Sequence, residues 1–490
     1  MPIDARHRHD IRLRVGFSSS VDHTSEGLRL SGGSFRLRFA LVIVSFATLH
    51  VFGVYHGRID PHLTFLLTLV LCVSASSAFV LGLVRSPATA QKMAEPKAML
   101  LSRIAACVFV IAAIGAFPGC PFLLWGVSLP TRLCFLAVFA AACWLAFRRT
   151  WVFVVLLALA SVLCRLPIFF ASPLDPKTSD MLPLITLACK RFLSGANPYF
   201  HYLMPWTLPL TYLPATWLAF LPSHVLGIDP RWSTVLFSCA AVLVILRAFP
   251  ISPSDPTAAP KKLLFAALML SSLDLRFSAI TPESVFWLAL SLFILFLARD
   301  RHIEAAFAMG ICLAARQQAI LLLPFYLIYV FKRLSGDSRW RCLGLTLAVP
   351  TLLCLPFLID SPAGFVSAVY TRFDPFALEK WINERAWENS LSFAPFFFEH
   401  QLHSVLKPII AALQLVLYVL ALRRLRRLSD LICFLGLSLL AFLLFSPIIW
   451  PYMFTPLLIL LFGSFLAPRD LAESERSLET QVPDERARHR

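Results

Sequence analysis

Charged residues are scarce in this chain. Asp, Glu, Lys and Arg make up 15% of its 490 residues, whereas 58% are hydrophobic. Soluble globular domains carry about 25% charged residues, so this composition excludes an ordinary soluble protein. Apolar stretches long enough to cross a bilayer recur along most of the chain. The sequence therefore predicts an all-α, polytopic transmembrane protein embedded in a lipid bilayer.

Motifs of paired cysteines are also missing. The twelve cysteines include no C-x-x-C and lie almost entirely inside apolar runs, so we expect small core residues rather than metal ligands. No cleavable signal peptide is predicted, because about 37 polar residues precede the first apolar stretch. The sequence shows neither an internal repeat nor a segment with the composition of a soluble domain.

Basic residues are distributed unevenly. The net charge of +16 does not indicate nucleic-acid binding, because most Lys and Arg lie in short loops between apolar stretches. We therefore expect no nucleic-acid partner. Such loops mark the cytoplasmic side of a membrane, and residues 332–333 and 423–427 are examples. The resulting pattern predicts that both termini lie in the cytoplasm.

The apolar pattern divides the chain into four parts and two large loops. The predicted parts are a disordered basic tail at 1–37, a four-span region at 38–149, a larger membrane domain at 150–466 and a second cytoplasmic tail at 467–490. Within the larger domain, extracytoplasmic loops are predicted at 171–231 and 361–402.

The predicted spans number about fourteen. They cover 38–55, 63–84, 99–117, 129–147, 151–170, 232–249, 262–280, 281–298, a broken pair within 303–331, 342–360, 403–422, 430–446 and 449–466. Residues 205–227 are apolar but interrupted by four prolines. We therefore expect a re-entrant or interfacial segment there rather than a span.

The stretch after the predicted span 151–170 has an unusual composition. The span ends in a polar loop that contains Asp175 and Asp180. From Asp180 to Leu193, apolar residues follow at helical spacing with basic residues between them, which predicts an amphipathic helix along the membrane surface. The turn G-A-N-P-Y at 195–199 then ends the helix.

This order resembles the first extracytoplasmic loop of the GT-C superfamily, integral membrane glycosyltransferases that use polyprenyl-phosphate-linked sugars. There, an Asp follows a span, and an amphipathic helix and a G-x-x-P-Y-like turn come next, as Asp180, Gly195, Pro198 and Tyr199 do here. The resemblance covers roughly residues 150–466. It implies a bacterial mannosyltransferase-like enzyme of the inner (plasma) membrane, with a lipid-linked sugar as donor and a glycan or glycolipid as acceptor. No cofactor is implied, although some members need a divalent cation.

Asp180 is the candidate general base. A carboxylate at the membrane surface can take the proton of an acceptor hydroxyl that attacks the anomeric carbon. Alternatively, Asp180 caps the following helix, where an acidic residue is favourable. Asp175 is the second catalytic candidate; between two prolines, it could instead form a turn or help to bind a cation. No H-x-x-H or D-x-D pattern lies nearby, so the sequence supports no metal site there.

Three further candidates lie near the ends of predicted spans. Arg165 is costly in lipid, so it either snorkels to the headgroups or holds the donor phosphate or orients Asp180. Arg276 and Glu283 flank an outer turn, where a local ion pair is the simpler interpretation. The functional one makes Arg276 a substrate-binding residue and Glu283 a catalytic residue.

The sequence Arg316-Gln317-Gln318 interrupts an apolar run. Intramembrane cations with amide neighbours are costly and are usually kept for a function. Arg316, Gln317 and Pro324 are similar to a K/R-Q-x-x-x-x-x-P context in related enzymes, which implies that Arg316 and Gln317 bind the donor phosphate. Solvation of the turn between two half-helices is the alternative.

Aromatic turns supply the remaining candidates for substrate binding. Asn197 and Tyr199 belong to the G-A-N-P-Y turn, and Trp450 belongs to a turn at 446–452 that resembles one in bacterial GT-C members. A proline-shaped turn with interfacial aromatics explains the latter equally well. Trp381 and Trp387 could stack on a sugar or anchor the loop 361–402 at the interface.

Together these features predict a hexosyltransferase in which Asp180 activates an acceptor hydroxyl. The resemblance implies a single displacement that inverts the anomeric configuration. A multi-spanning transporter or lipid flippase is the alternative, since many spans with an intramembrane Arg also suit one. A non-catalytic scaffold would not explain Asp180 and Arg316. Large loops and polar residues on one face favour the enzyme.

Overall fold

The structure is a computed structural model that describes residues 24–55, 61–83, 149–171, 174–176, 179–204, 207–251, 258–270, 277, 280–371 and 386–467. Its elements, numbered along the chain, are α1 (Thr24–Tyr55), α2 (Pro61–Leu83), α3 (Thr150–Ala171), α4 (Met181–Leu193), β1 (His201–Leu203), β2 (Thr207–Pro209), α5 (Pro214–Leu218), α6 (Leu221–Val225), α7 (Pro230–Ala248), α8 (Ala258–Met269), α9 (Ser284–Ala298), α10 (His302–Ala315), α11 (Leu323–Arg333), α12 (Gly336–Asp360), α13 (Pro362–Val366), α14 (Ala394–Glu399), α15 (Leu406–Arg424), α16 (Leu428–Phe445) and α17 (Thr455–Leu466). Short 3-10 helices lie at Gln317–Leu321, Ala386–Asn389, His403–Val405 and Pro451–Phe454, and a π-helical turn lies at Ser367–Thr371.

Five of these helices are long and apolar enough to cross a membrane. The candidate spans are His62–Leu81, Pro230–Ala248, Gly336–Asp360, His403–Arg424 (which includes the 3-10 turn before α15) and Leu428–Phe445. Shorter apolar helices lie at Leu37–Phe52, Thr150–Val162, Ser284–Ala298, His302–Ala315 and Pro451–Leu466. The prediction of a helical membrane protein is confirmed at this level. The predicted spans 99–117 and 129–147 lie outside the described residues, and the count of fourteen stays a prediction.

The predicted pair of half-helices within 303–331 is broken at the expected place. α10 ends at Ala315, and Arg316 adopts an extended backbone with φ −144° and ψ 132°. The 3-10 helix Gln317–Leu321 leads from there into α11. Pro324 is tolerated near the start of α11 because the first helical turn does not need its missing N–H. The break therefore turns the chain back and leaves Arg316 at one end of the bundle.

Glycines allow two close helix crossings in the bundle. Gly436 of α16 lies so close to the ring of Phe79 in α2 that an added Cβ would overlap the ring. Gly310 of α10 faces Val349 of α12, again without room for a Cβ. Small residues at helix contacts bring backbones together, which is how helices gain packing contacts in lipid. By contrast, α12 and α15 leave most of their apolar surface exposed.

The basic connections between spans meet at one end of the bundle. Arg299 Nη2 donates to the carbonyl oxygen of Arg247 at 3.0 Å. Lys332 Nζ donates to the carbonyl oxygen of Ala421 at 3.3 Å and to that of Leu422. These contacts join the ends of α7, α9, α11 and α15, so the predicted alternation of these spans is geometrically consistent. We call this the basic end and the opposite end, where α3 ends and α9 begins, the loop end.

The chain between α3 and α7 forms a second, smaller core at the loop end. As its apolar spacing predicted, α4 buries one face, which includes Leu182, Ile185 and Ala188. This face packs against α5, α6 and α7. The antiparallel pair β1–β2, with Tyr202 opposite Leu208, follows α4. This small core holds the polar loop after α3 against the ends of the membrane helices.

Two expectations about local structure differ from what is observed. Residues 24–37, predicted to belong to a disordered tail, form the first part of α1. Thr24, Ser25 and Glu26 suit a helix start, since hydroxyl and acidic side chains are favourable there. The described part of 205–227 contains no spanning helix, as expected, but its β-strand was not predicted. The strand is only three residues long and ends at Pro209, so it is too short to show an alternating pattern and contains a residue that is unusual in strands.

Candidate functional site

A buried ion pair lies at the loop end. Glu283 Oε1 and Arg316 Nη1 are 2.6 Å apart, and the two residues are 6% and 8% exposed. Glu283 directly precedes α9, and Arg316 directly follows α10. Because α9 and α10 are adjacent antiparallel helices, their outer ends bring the two side chains together. The simpler interpretation of Glu283 was an ion pair with Arg276, which lies outside the described residues; the partner in the structure is Arg316.

The electrostatics of this pair extend to three more residues. Burial raises the pKa of Glu283, and Arg316 opposes that rise. Burial also raises the pKa of the Tyr212 hydroxyl; the charges of Tyr452, Glu283 and Asp180 raise it further, while Arg316 lowers it. Charges influence one another's pKa in this way when they share a region of low dielectric. We call Asp180, Tyr212, Glu283, Arg316 and Tyr452 the polar cluster.

Asp180 enters the cluster from the start of α4. It occupies the N-cap position, yet its side chain makes no capping hydrogen bond. The capping hydrogen bond, which was the alternative role considered for Asp180, is therefore not formed. Its neighbour Ser179 donates from Oγ to the carbonyl oxygen of Ile280 at 3.2 Å. This contact fixes the start of α4 against the turn that carries Glu283.

Hydrogen bonds from side chains to backbone carbonyls hold the segment of Tyr212 against the break between α10 and α11. Gln317 Nε2 donates to the carbonyl oxygen of Thr211 at 2.9 Å and to that of Val369 at 3.2 Å. Thr216 Oγ1 donates to the carbonyl oxygen of Ala315 at 2.7 Å. Gln317, predicted to bind substrate, thus positions the loops on both sides of Arg316. The amide N–H groups of Gln317 supply the hydrogen-bond donors that these two backbone carbonyl groups need.

The G-A-N-P-Y turn has a different set of contacts. Gly195 has a φ of +81°, and the backbone N–H groups of residues 195 and 196 bond back to Phe192 and Arg191. This is a Schellman ending, in which glycine avoids the strain of a left-handed conformation. Asn197 Nδ2 donates to Asp360 Oδ2 at 2.7 Å. The turn therefore ends α4 and ties it to the end of α12.

Tyr199 lies behind the cluster rather than in it. Its hydroxyl donates to the carbonyl oxygen of Tyr212 at 3.0 Å and accepts from Trp217 Nε1 at 3.3 Å. Its side chain is 4% exposed. Tyr199 and Asn197 were predicted to bind substrate, and the structure places both in contacts with protein groups. Tyr199 supports the backbone of Tyr212.

Arg165 lies in another region, inside the helix bundle. It is 1% exposed, and its guanidinium donates to the carbonyl oxygen of Ser161 at 2.9 Å and to Ser238 Oγ at 3.0 Å. Ser161 lies one turn back along α3 and Ser238 lies on α7. The side chain therefore reaches away from the loop end and links α3 to α7. It does not snorkel out of the bundle, and these contacts do not bring it to Asp180.

The remaining candidates lie around the cluster or outside the described residues. Asp175 is half-buried in a turn, and its carbonyl oxygen accepts from Ser179 N at 3.1 Å. Trp450 is 37% exposed and lies two residues before Tyr452 of the cluster. Trp387 stacks on Phe398 with ring centroids 5.4 Å apart, which suits a structural role. Arg276 and Trp381 lie outside the described residues.

Sequence reasoning missed Tyr212 and Tyr452. Tyr452 lies in the turn 446–452, in which only Trp450 was singled out; the prediction that Trp450 binds substrate stays a prediction. Tyr212 lies in an apolar, proline-rich stretch that shows no charge and no motif. Its tyrosine hydroxyl was the available signal, because a buried hydroxyl needs a polar partner.

Carboxylates and neutral hydroxyls dominate the cluster beside one arginine. Among the described residues, no group of three or more His, Cys, Asp or Glu side chains is placed to hold a metal ion. The arrangement can accept a proton at Asp180 and can offer a guanidinium to an anion. No protein family model matches the chain, and no curated protein or solved structure is significantly similar to it.

Proposed function

We propose that this chain is an integral membrane glycosyltransferase of the GT-C type. It transfers a sugar, a hexose such as mannose, from a polyprenyl-phosphate donor to a hydroxyl of a glycan or glycolipid acceptor. The proposal includes about fourteen spans in the inner (plasma) membrane, cytoplasmic termini and a site on the extracytoplasmic face. The observation that carries it is the buried Glu283–Arg316 pair at the end opposite to the basic loops, with the loop of Asp180 joined to the turn of Glu283 by the Ser179–Ile280 hydrogen bond.

Asp180 acts as the general base in this proposal. The acceptor hydroxyl gives its proton to the Asp180 carboxylate as its oxygen forms a bond to the anomeric carbon. The bond from that carbon to the phosphate oxygen breaks, and polyprenyl phosphate leaves with the bonding electrons. A single displacement of this kind inverts the anomeric configuration.

Arg316 binds the donor phosphate in this proposal, and Glu283 holds it in place beforehand. A buried guanidinium without a partner is costly, so Glu283 keeps Arg316 at the site when no donor is bound. A phosphate can replace the carboxylate with two charge-assisted hydrogen bonds to the planar guanidinium. Because burial raises the pKa of Glu283, its carboxyl can take up a proton when it loses Arg316. Gln317 holds the surrounding loops in register during this exchange.

The position of the cluster favours this function over transport. Secondary transporters bind substrate near the middle of the bilayer, between repeats. Here the pair lies where α9 begins and α10 ends, and hydrogen bonds tie the segments of Ser179, Thr211 and Val369 to the adjoining turns. Such a site can take a headgroup from the membrane surface while the lipid tail stays in the bilayer.

A transfer assay tests the proposal. Membranes from cells that produce the protein are incubated with polyprenyl-phosphate [14C]mannose, and label is followed into glycolipid and glycan fractions. We expect label to move into one of these fractions and to be absent from membranes without the protein. Movement of intact lipid-linked sugar across sealed vesicles, with no transfer to an acceptor, would instead identify a flippase.

A further inference from the structure

A groove lies on the outside of the bundle, apart from the polar cluster. Its volume is about 520 Å³, and its lining shares no residue with the cluster. One wall is a face of α15 from Lys407 to Tyr418. The other wall is formed by Leu321, at the end of the 3-10 helix, and by Phe442 of α16. This volume lies in the range of about 300–1,000 Å³ that is usual for ligand pockets.

The groove follows from the sequence of α15. Its lining residues on that helix are Lys407, Ile410, Ala411, Gln414, Leu415 and Tyr418, which recur at the spacing of one helix face. With a rise of about 1.5 Å per residue, this face extends for about 16 Å. The small side chain of Ala411 leaves space midway between Lys407 and Leu415. The result is an open groove along this face of α15.

Polar groups in the floor of the groove are already paired. Gln414 Nε2 donates to the carbonyl oxygen of Ser438 at 2.9 Å, and Ser438 Oγ donates to Gln414 Oε1 at 2.8 Å. Ser438 Oγ also lies 3.3 Å from the carbonyl oxygen of Leu321. These hydrogen bonds join α15, α16 and the 3-10 helix beneath the groove. The polar groups of Gln414 and Ser438 therefore need no hydrogen bond from a ligand, and a hydrocarbon chain can lie over them.

The groove opens onto the exposed side of α15. α15 lies within one of the five candidate spans, and Leu415 is 63% exposed. Lys407 is exposed in the first turn of the same helix, at the loop end. A cation at the rim of an apolar channel matches a molecule with an anionic head and a hydrocarbon tail.

We propose that this groove binds one anionic phospholipid of the surrounding bilayer. One acyl chain lies along α15 against Ile410, Leu415 and Tyr418, and Lys407 contacts the headgroup phosphate. The site is separate from the proposed donor site, because Arg316 lies inside the bundle whereas Lys407 lies at its surface. The proposal does not depend on the enzymatic activity.

Photo-crosslinking of a lipid probe tests the site without an activity assay. Purified protein is reconstituted in phosphatidylcholine vesicles with a small amount of phosphatidylglycerol that carries a diazirine in one acyl chain. We expect the label on the peptide that contains residues 407–418. Ala411→Trp should fill the groove and lower labelling there by about fivefold or more, an effect of about 1 kcal/mol or more. Ala412→Trp, on the same exposed helix but outside the lining, should leave labelling unchanged.

The headgroup contact has its own variant. Lys407→Gln should reduce the preference for phosphatidylglycerol over an equally labelled phosphatidylcholine and leave the channel itself intact. Equal labelling of the wild-type, Ala411→Trp and Ala412→Trp proteins would overturn the proposal. Displacement of the probe by unlabelled polyprenyl phosphate, but not by excess phosphatidylglycerol, would also overturn it and would assign the groove to an isoprenoid chain.

Discussion

Two buried arginines of this protein lie in different parts of the bundle. Arg165 lies between α3 and α7, where it donates to the carbonyl oxygen and hydroxyl of Ser161, to Ser238 Oγ and to Cys239 Sγ. Arg316 lies at the loop end, where it faces the carboxylate of Glu283. A carboxylate supplies a guanidinium with both hydrogen-bond acceptors and the opposite charge. The contacts of Arg165 link two helices of the bundle, whereas the Glu283–Arg316 pair lies at the loop end, where one anion can replace another.

The largest expected effect belongs to the neighbourhood of Arg316. Asp180→Asn removes the basicity of the carboxylate but keeps its size, and we expect the rate of sugar transfer to fall by about two to four orders of magnitude. Asp175→Asn should have a smaller effect, because the described geometry associates Asp180 with the cluster. The measurement is transfer from the lipid-linked donor at matched amounts of inserted protein. Near-normal activity of the Asp180 variant would move the role of base to Asp175 or Glu283.

A matched pair of substitutions compares the two arginines directly. Arg316→Lys keeps the charge but loses the planar group that binds two oxygens, so the apparent affinity for the donor should fall about 10- to 100-fold. Arg165→Lys should leave that affinity unchanged, since its contacts link helices. Donor titrations at fixed amounts of folded protein measure both. A similar loss in the two variants would remove the distinction between the two sites.

The packing role of Arg165 predicts a loss of stability instead. Arg165→Met removes hydrogen bonds to Ser161 and Ser238 but fills a similar volume, and we expect the free energy of unfolding to fall by about 1–3 kcal/mol. Thermal unfolding of the purified protein in detergent measures this change. Donor affinity of the folded fraction serves as the control, and a changed affinity at unchanged stability would contradict the assignment.

The smallest effect concerns the pH dependence of stability around Glu283. Burial raises its pKa above that of an exposed carboxyl group, and Arg316 limits the rise. The folded protein therefore keeps this proton to a higher pH than the unfolded chain does. The resulting stabilisation is complete below the pKa of the unfolded carboxyl and is lost as pH rises through the folded value.

Thermal unfolding between about pH 4 and about pH 7 would detect this contribution. Relative to Glu283→Gln, the wild-type protein should become less stable as pH rises. Arg316→Gln should extend the decline to higher pH, because it removes the charge that limits the rise of the pKa. A stability difference that is independent of pH in this range would contradict the assigned environment.

Local patterns in the sequence predicted the features that depend on neighbouring residues. The apolar face of α4 and the break at Arg316 were both readable, because helical spacing and polar interruptions are properties of a short stretch. The ends of helices also followed from nearby glycine and proline residues, as at Gly195. The start of α1 at Thr24 was missed, because a basic sequence can continue a helix beyond the membrane.

The partners within the candidate site depend on packing between distant segments. Glu283 and Arg316 were each singled out, but their pairing follows from the way α9 and α10 lie side by side. Tyr212 joins them only because Gln317 and Thr216 fix its loop to the end of α10. In the same way, nothing close to Arg165 in sequence reveals Ser238 on α7. The sequence therefore indicated which residues could belong to the site, but it did not indicate which residues would surround them.

The Glu283–Arg316 pair also has consequences for how the chain enters the membrane. Both charges lie at the loop end, so a chain inserted from the basic end must carry each of them across the bilayer. A single charged side chain at the centre of an inserting helix costs about 2.5–3.5 kcal/mol. If α9 and α10 enter as one hairpin, the two charges cross together and neutralise each other. On the proposed topology, insertion of α9 and α10 as one unit therefore lowers this cost, and a long insertion between residues 298 and 302 would remove that advantage.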